Sequence, residues 1–79
     1  MKYIVINVCD RDIFDIGVAD TLTEATEIMR NDFMEIFLEY YEKEDFENGN
    51  YRADEWQFNE TIAWLNGRMD YDWRIVEVK

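Results

Sequence analysis

TLTEATEIMRNDFMEIFLEYYEKED, residues 21–45, is the longest helical pattern in the chain and one of its most acidic stretches. Thr21 followed three residues later by Glu24 makes a capping box, so a helix is predicted to begin at Thr21. Successive residues 100° apart place Leu22, Ala25, Met29, Phe33, Ile36 and Tyr40 on one face, the spacing of an amphipathic helix packed on a core. The opposite face collects Glu24, Asn31, Glu35, Glu39 and Glu42, a carboxylate-rich ridge roughly 27 Å long at the usual rise per residue. A third stripe, Met34, Leu38 and Tyr41, is more apolar than a solvated flank requires and is a candidate apolar interface.

Outward from this helix the patterns are those of strands. Lys2–Cys9, KYIVINVC, is rich in β-branched residues, with Ile4, Ile6 and Val8 on one face and Tyr3, Val5 and Asn7 on the other, and is predicted to be a well-buried strand. After the polar break Asp10-Arg11-Asp12, Phe14, Ile16 and Val18 alternate with Asp15, Gly17 and Ala19, which predicts a second strand antiparallel to the first. Gly17 marks a bulge or a close backbone approach. FENGNYRADE, residues 46–55, reads as a loop.

Residues 56–65 admit two readings. Alternation of Trp56, Phe58, Glu60, Ile62 and Trp64 with their neighbours suits one strand, whereas Asn59 as a cap and Gly67 as a stop suit a short helix. The strand is preferred, because Asn66-Gly67 is a hairpin signal and residues 71–78, YDWRIVEV, form another strand. The expected fold is α+β, strand-strand-helix-strand-strand, with one helix packed on a mainly antiparallel four-stranded sheet and residues 1–79 forming one domain. A chain of 79 residues needs an efficient core, and three Trp, five Tyr and five Phe supply it.

The inventory of reactive groups is thin. There is no His, no Ser and no Pro, so Ser-His and Cys-His catalysis is excluded, and the single Cys9 has no imidazole to activate it. No pair of carboxylates is marked out for acid and base work, and no catalytic residue or cofactor is expected. Asp10-Arg11-Asp12 and Asp70-Tyr71-Asp72 place alternating carboxylates near turns, but neither matches a calcium loop, and zinc lacks ligands; solvated turn acids are the better reading. The lone cysteine, together with an N-terminal apolar run too short for a signal or a membrane span, predicts a cytoplasmic protein.

Charge is the strongest compositional feature. Nineteen acidic residues against eight basic give a formal net charge of −11 and a sequence pI near 4.1. From Glu39 to Glu60, eight carboxylates face only Lys43 and Arg52. Direct binding of nucleic acid is disfavoured, because phosphates would repel the chain; aromatics such as Trp56, Phe58 and Trp64, flanked by acids rather than a basic groove, read as sheet core. Basic protein partners are favoured, although solubility alone accounts for many acidic surfaces.

Carboxylates one helical turn apart stand about 6 Å apart, a spacing comparable to that of neighbouring phosphates. In size, charge and lack of catalytic residues, with Glu24, Glu35, Glu39, Glu42, Glu44, Asp45, Glu47, Asp54 and Glu55 carrying the likeness, the chain resembles the small acidic anti-CRISPR and anti-restriction proteins of phages and mobile elements. The resemblance is one of class, without a shared motif. It implies a non-enzymatic inhibitor acting in the host-cell cytoplasm by DNA mimicry or by blocking an effector. The partner expected is a basic nucleic-acid-binding protein such as a CRISPR effector or nuclease. From the charge pattern itself, contacts are expected at Glu35, Glu39, Glu42, Glu44, Asp45, Glu47, Asp54 and Glu55. The alternative is an adaptor module whose charge serves only solubility and which forms a homodimer through Met34, Leu38 and Tyr41.

Overall fold

The computed structural model describes residues 2–48, 56–66 and 69–78. Five strands and two helices follow in the order β1 (Lys2–Cys9), β2 (Asp12–Ala19), α1 (Leu22–Phe37), α2 (Lys43–Glu47), β3 (Trp56–Phe58), β4 (Ile62–Asn66) and β5 (Asp70–Val78). The strands form one antiparallel sheet in the order β2-β1-β5-β4-β3, so the first and last strands in sequence are neighbours near its middle. The α+β architecture is as expected, but the sheet has five strands, not four.

The fifth strand arises at Asn59. Its side-chain oxygen accepts from the amides of Thr61 (3.2 Å) and Ile62 (3.0 Å), while its own amide donates to the Ile62 carbonyl at 3.0 Å. An asparagine side chain thereby makes the tight turn that glycine or proline usually signals. Residues 56–65 are therefore a hairpin, neither one strand nor a helix, and the turn resets the alternation: Trp56, Phe58, Ala63 and Leu65 share one face and Trp64 lies on the other. The proposed Asn66-Gly67 turn falls partly outside the described residues.

Helix α1 starts as predicted, with the Thr21 hydroxyl accepting from the Glu24 amide at 3.2 Å. Thr21→Ala removes that acceptor and is expected to cost about 1 kcal/mol, read as a fall in Tm of roughly 5 °C for a domain of this size; an unchanged Tm would show the cap to be energetically silent. The helix does not run to Asp45. It ends at Phe37, passes through a turn, and restarts at Lys43, where the Asp45 carboxylate accepts from the Glu42 amide at 3.2 Å. The break has a packing cause. A continuous helix would carry Phe46 about 13 Å along the axis beyond Phe37, away from the core. The turn instead folds it back, with Phe46 ring centroids 5.8 Å from Phe37, 5.9 Å from Phe33 and 5.8 Å from Trp56.

The buried row of α1 is Ala25, Met29, Phe33 and Phe37, a strict four-residue spacing. The expected core face is corrected accordingly: Leu22 and Ile36 are only half-buried and Tyr40 lies past the helix, exposed, while Phe37 takes the place given to Ile36 and Tyr40. This row packs on Val5, Ala19, Trp56, Ala63, Leu65 and Trp73 of the sheet. Gly17 provides the close approach its position suggested: a Cβ there would stand 3.0 Å from Ile28, beside the bulge that β2 makes at Ile16, opposite Val5 and Ile6 of β1. No described helix is long and apolar enough to cross a membrane.

Candidate protein-binding surface

Most of the net negative charge belongs to the helical segment. Residues 22–48 hold nine carboxylates against Arg30 and Lys43, a net charge of −7 out of the −11 of the whole chain. On α1, Glu24, Glu27 and Glu35 are exposed; Glu39 follows in the exposed turn; Glu42, Glu44 and Glu47 are exposed around α2, with Asp45 half-buried. The single straight ridge from Glu24 to Glu42 is thus corrected to two segments joined by a turn. The reason is the packing of Phe46, which bends the backbone that was to carry the row. Asp54 and Glu55 lie outside the described residues.

Some of these carboxylates have local duties, Glu42 through its share in the capping box of α2. Asp45 holds the start of α2 through the Glu42 amide, and Glu47 stands 3.6 Å from Lys43 one turn away. Arg30 lies over the Phe46 ring at 5.5 Å from its centroid, which ties α1 to α2. Near the turn, burial pushes the Tyr71 phenol up, helped by Cys9, Tyr40 and Glu39. Far from it, at the sheet end, Lys2 and Asp20 pair at 2.8 Å, raising the lysine and lowering the aspartate through their hydrogen bond.

Met34, Leu38 and Tyr41 do not form a stripe, because the helix stops before two of them. Met34 and Tyr41 pack against the core, Tyr41 stacking on Phe37 at 5.0 Å, and Leu38 alone of the three is exposed. Trp56 and Phe58 are sheet residues of the core side, consistent with their reading as structure.

Asp32, which the helical pattern did not single out, turns inward. One of its carboxylate oxygens accepts from the Trp73 indole at 2.7 Å and from the Asn7 side-chain amide at 2.9 Å. The signal in the sequence was Asn7 itself, a polar residue on the same strand face as Val5. Shallow concavities flank α1 on both sides, one lined by Ile16, Ile28, Asn31, Asp32 and Glu35, the other by Leu22, Thr26, Arg30 and Glu60. Among the described residues no group of three or more His, Cys, Asp or Glu side chains is placed to hold a metal ion. No family model, curated protein or solved structure matches the chain.

Proposed function

We propose that the protein is a non-enzymatic inhibitor of a basic nucleic-acid-processing protein, such as a CRISPR effector or a nuclease, acting from the cytoplasm of a host cell. The observation that supports this most is the polarity of the charge: −7 lies on the 27 residues from Leu22 to Asn48. A one-sided field of this kind steers a basic groove toward the helices and weakens as salt screens it. Glu35, Glu39, Glu42, Glu44, Asp45 and Glu47 form the contact surface, and Asp54 and Glu55, outside the described residues, are further contacts in this reading. The two-segment arrangement fits a curved, phosphate-binding groove better than a straight one, since the turn at residues 38–42 redirects the row.

Capture of the tagged protein's partner from a lysate rich in CRISPR effectors and restriction enzymes tests this reading. A basic nuclease that salt releases and DNA displaces is the expected result. The triple variant Glu35→Lys, Glu39→Lys, Glu42→Lys should then lose binding by at least 100-fold, on the order of 3 kcal/mol. Its fold should survive, because all three side chains are exposed and the Asp45 carboxylate still accepts from the Glu42 amide, the loss of the Glu42 side chain's share in the capping box of α2 costing only about 1 kcal/mol. Unchanged affinity in this variant would dispose of the proposal.

A further inference from the structure

All helical packing is on one side of the sheet, and the strand registers identify what remains on the other. Across β2, β1 and β5, the side opposite α1 carries Val18, Ile4 and Val76 in one row and Ile13 and Val8 in another, with Val78 at the end; Ile62 and Trp64 continue it on β4. Among the described residues nothing is packed on this side, and Ile13 (71%), Val18 (55%), Val76 (43%) and Val78 (40%) stay open to solvent. An apolar patch of this extent on a small domain marks an association surface.

We infer that this open sheet face is the interface of a homodimer, with a second copy of the chain as its occupant. Three observations select that occupant. First, the charge of the face is largely internally paired: Lys2 with Asp20 at 2.8 Å and Arg74 with Asp72 at 3.3 Å, which leaves Asp15 and Asp70 as the other strand carboxylates that the register places on this face. Two copies of a chain with net charge −11 can meet here while both acidic helices point outward. Sheets stack about 10 Å apart and helices pack at a similar distance. The two acidic layers would therefore be roughly 30 Å apart, several screening lengths at physiological salt.

Second, the face is broad enough. The five strands hold 33 residues, which at about 3.3 Å per residue and about 4.8 Å between strands cover roughly 500 Å² in projection. A specific pair needs about 1,000 Å² in total from both partners. Third, the competing mode, edge-to-edge pairing through β2, is obstructed: that strand carries the bulge opposite Val5 and Ile6 and presents Asp12 and Asp15. A twofold arrangement also suits a face that is self-similar from copy to copy.

Sedimentation equilibrium of the full chain decides the matter. The expected species has twice the 9.7 kDa chain mass, and its affinity should not fall between roughly 0.15 M and 0.5 M salt, since the interface is apolar and the acidic halves are already screened from each other. Binding of a basic partner by the acidic surface should instead fall with salt, so the two readings fail separately. Val18→Glu with Val76→Glu places four charges in the interface by symmetry and should lower dimer affinity by at least about 100-fold, with an unchanged far-UV spectrum. Should that variant unfold, Val18→Thr with Val76→Thr decides, with a loss of about tenfold expected from the buried hydroxyls. A wild-type monomer at about 200 μM in both salts, or a dimer indifferent to the substitutions in the folded variant, would overturn the inference.

Discussion

Replacing Phe33 by alanine is expected to destabilise the protein by about 4 kcal/mol, roughly a third or more of its total stability. Phe33 is fully buried, and its ring lies 5.4 Å from Phe37, 5.9 Å from Phe46, 6.1 Å from Trp56, 5.3 Å from Phe58 and 5.1 Å from Trp73. It therefore joins α1, α2, the β3–β4 hairpin and β5. Truncation loses the transfer energy of the ring and leaves a cavity whose walls belong to four elements, and aromatic walls of this kind cannot all close on it. The magnitude is set against a total stability of roughly 4–12 kcal/mol for a domain this long. Urea denaturation measures it; a midpoint within a few tenths molar of the wild type would show that the cluster contributes far less than its geometry implies. Phe33→Leu keeps much of the volume and should cost only about a third as much.

The same cluster explains which parts of the fold could be read from the residues alone. Strand β1 was legible to the residue, because β-branched alternation bounded by a charged turn has few other solutions, and the start of α1 was legible because Thr21 and Glu24 are a local device. The end of α1 was not. Nothing between Phe37 and Asp45 forbids a helix, and only the distant attraction of Phe46 to Trp56 and Phe33 breaks it. The hairpin at Asn59 was missed because its turn has no glycine or proline, and the sheet gained a strand in consequence. Of the candidate site, the acidic character was legible from composition, but its shape depended on that same break.

The open sheet face was implicit in β1. Both of its faces are apolar, Tyr3 and Val5 on one and Ile4, Ile6 and Val8 on the other, yet the described residues hold a single long helix. One long helix covers one face. A strand apolar on both sides in such a chain therefore leaves one apolar face to be covered by something else. The charge pattern points the same way, since most of the net charge is on the helical segment and the outward strand positions mix Lys2 and Arg74 with Asp15, Asp70, Asp72 and valines.

Asp32→Ala is expected to cost about 3 kcal/mol, a large effect for a residue on a helix surface, because it strands two buried donors at once. The Trp73 ring is fully buried and its indole N–H donates to Asp32 at 2.7 Å; the Asn7 amide, almost fully buried, donates to the same oxygen at 2.9 Å. With alanine neither regains a partner, and each carries its desolvation cost unrelieved. Asp32→Asn can turn its carbonyl oxygen to the same place, so it should lose only the charge assistance, about 1 kcal/mol. Asn7 makes the argument sharper. Its side-chain oxygen is buried with no donor among the described residues, so the amide is only half satisfied even in the native protein. Asn7→Val gives up the bond to Asp32 but also removes that orphan acceptor, and should change stability by less than about 1 kcal/mol. In the Asp32→Ala background the same change removes an amide with no partner at all and should restore roughly 1–2 kcal/mol. The sign of the coupling in this cycle, measured by denaturant titration, distinguishes a buried network from two unrelated contacts. Additive effects would mean that Asp32 and Asn7 do not support Trp73 as a unit.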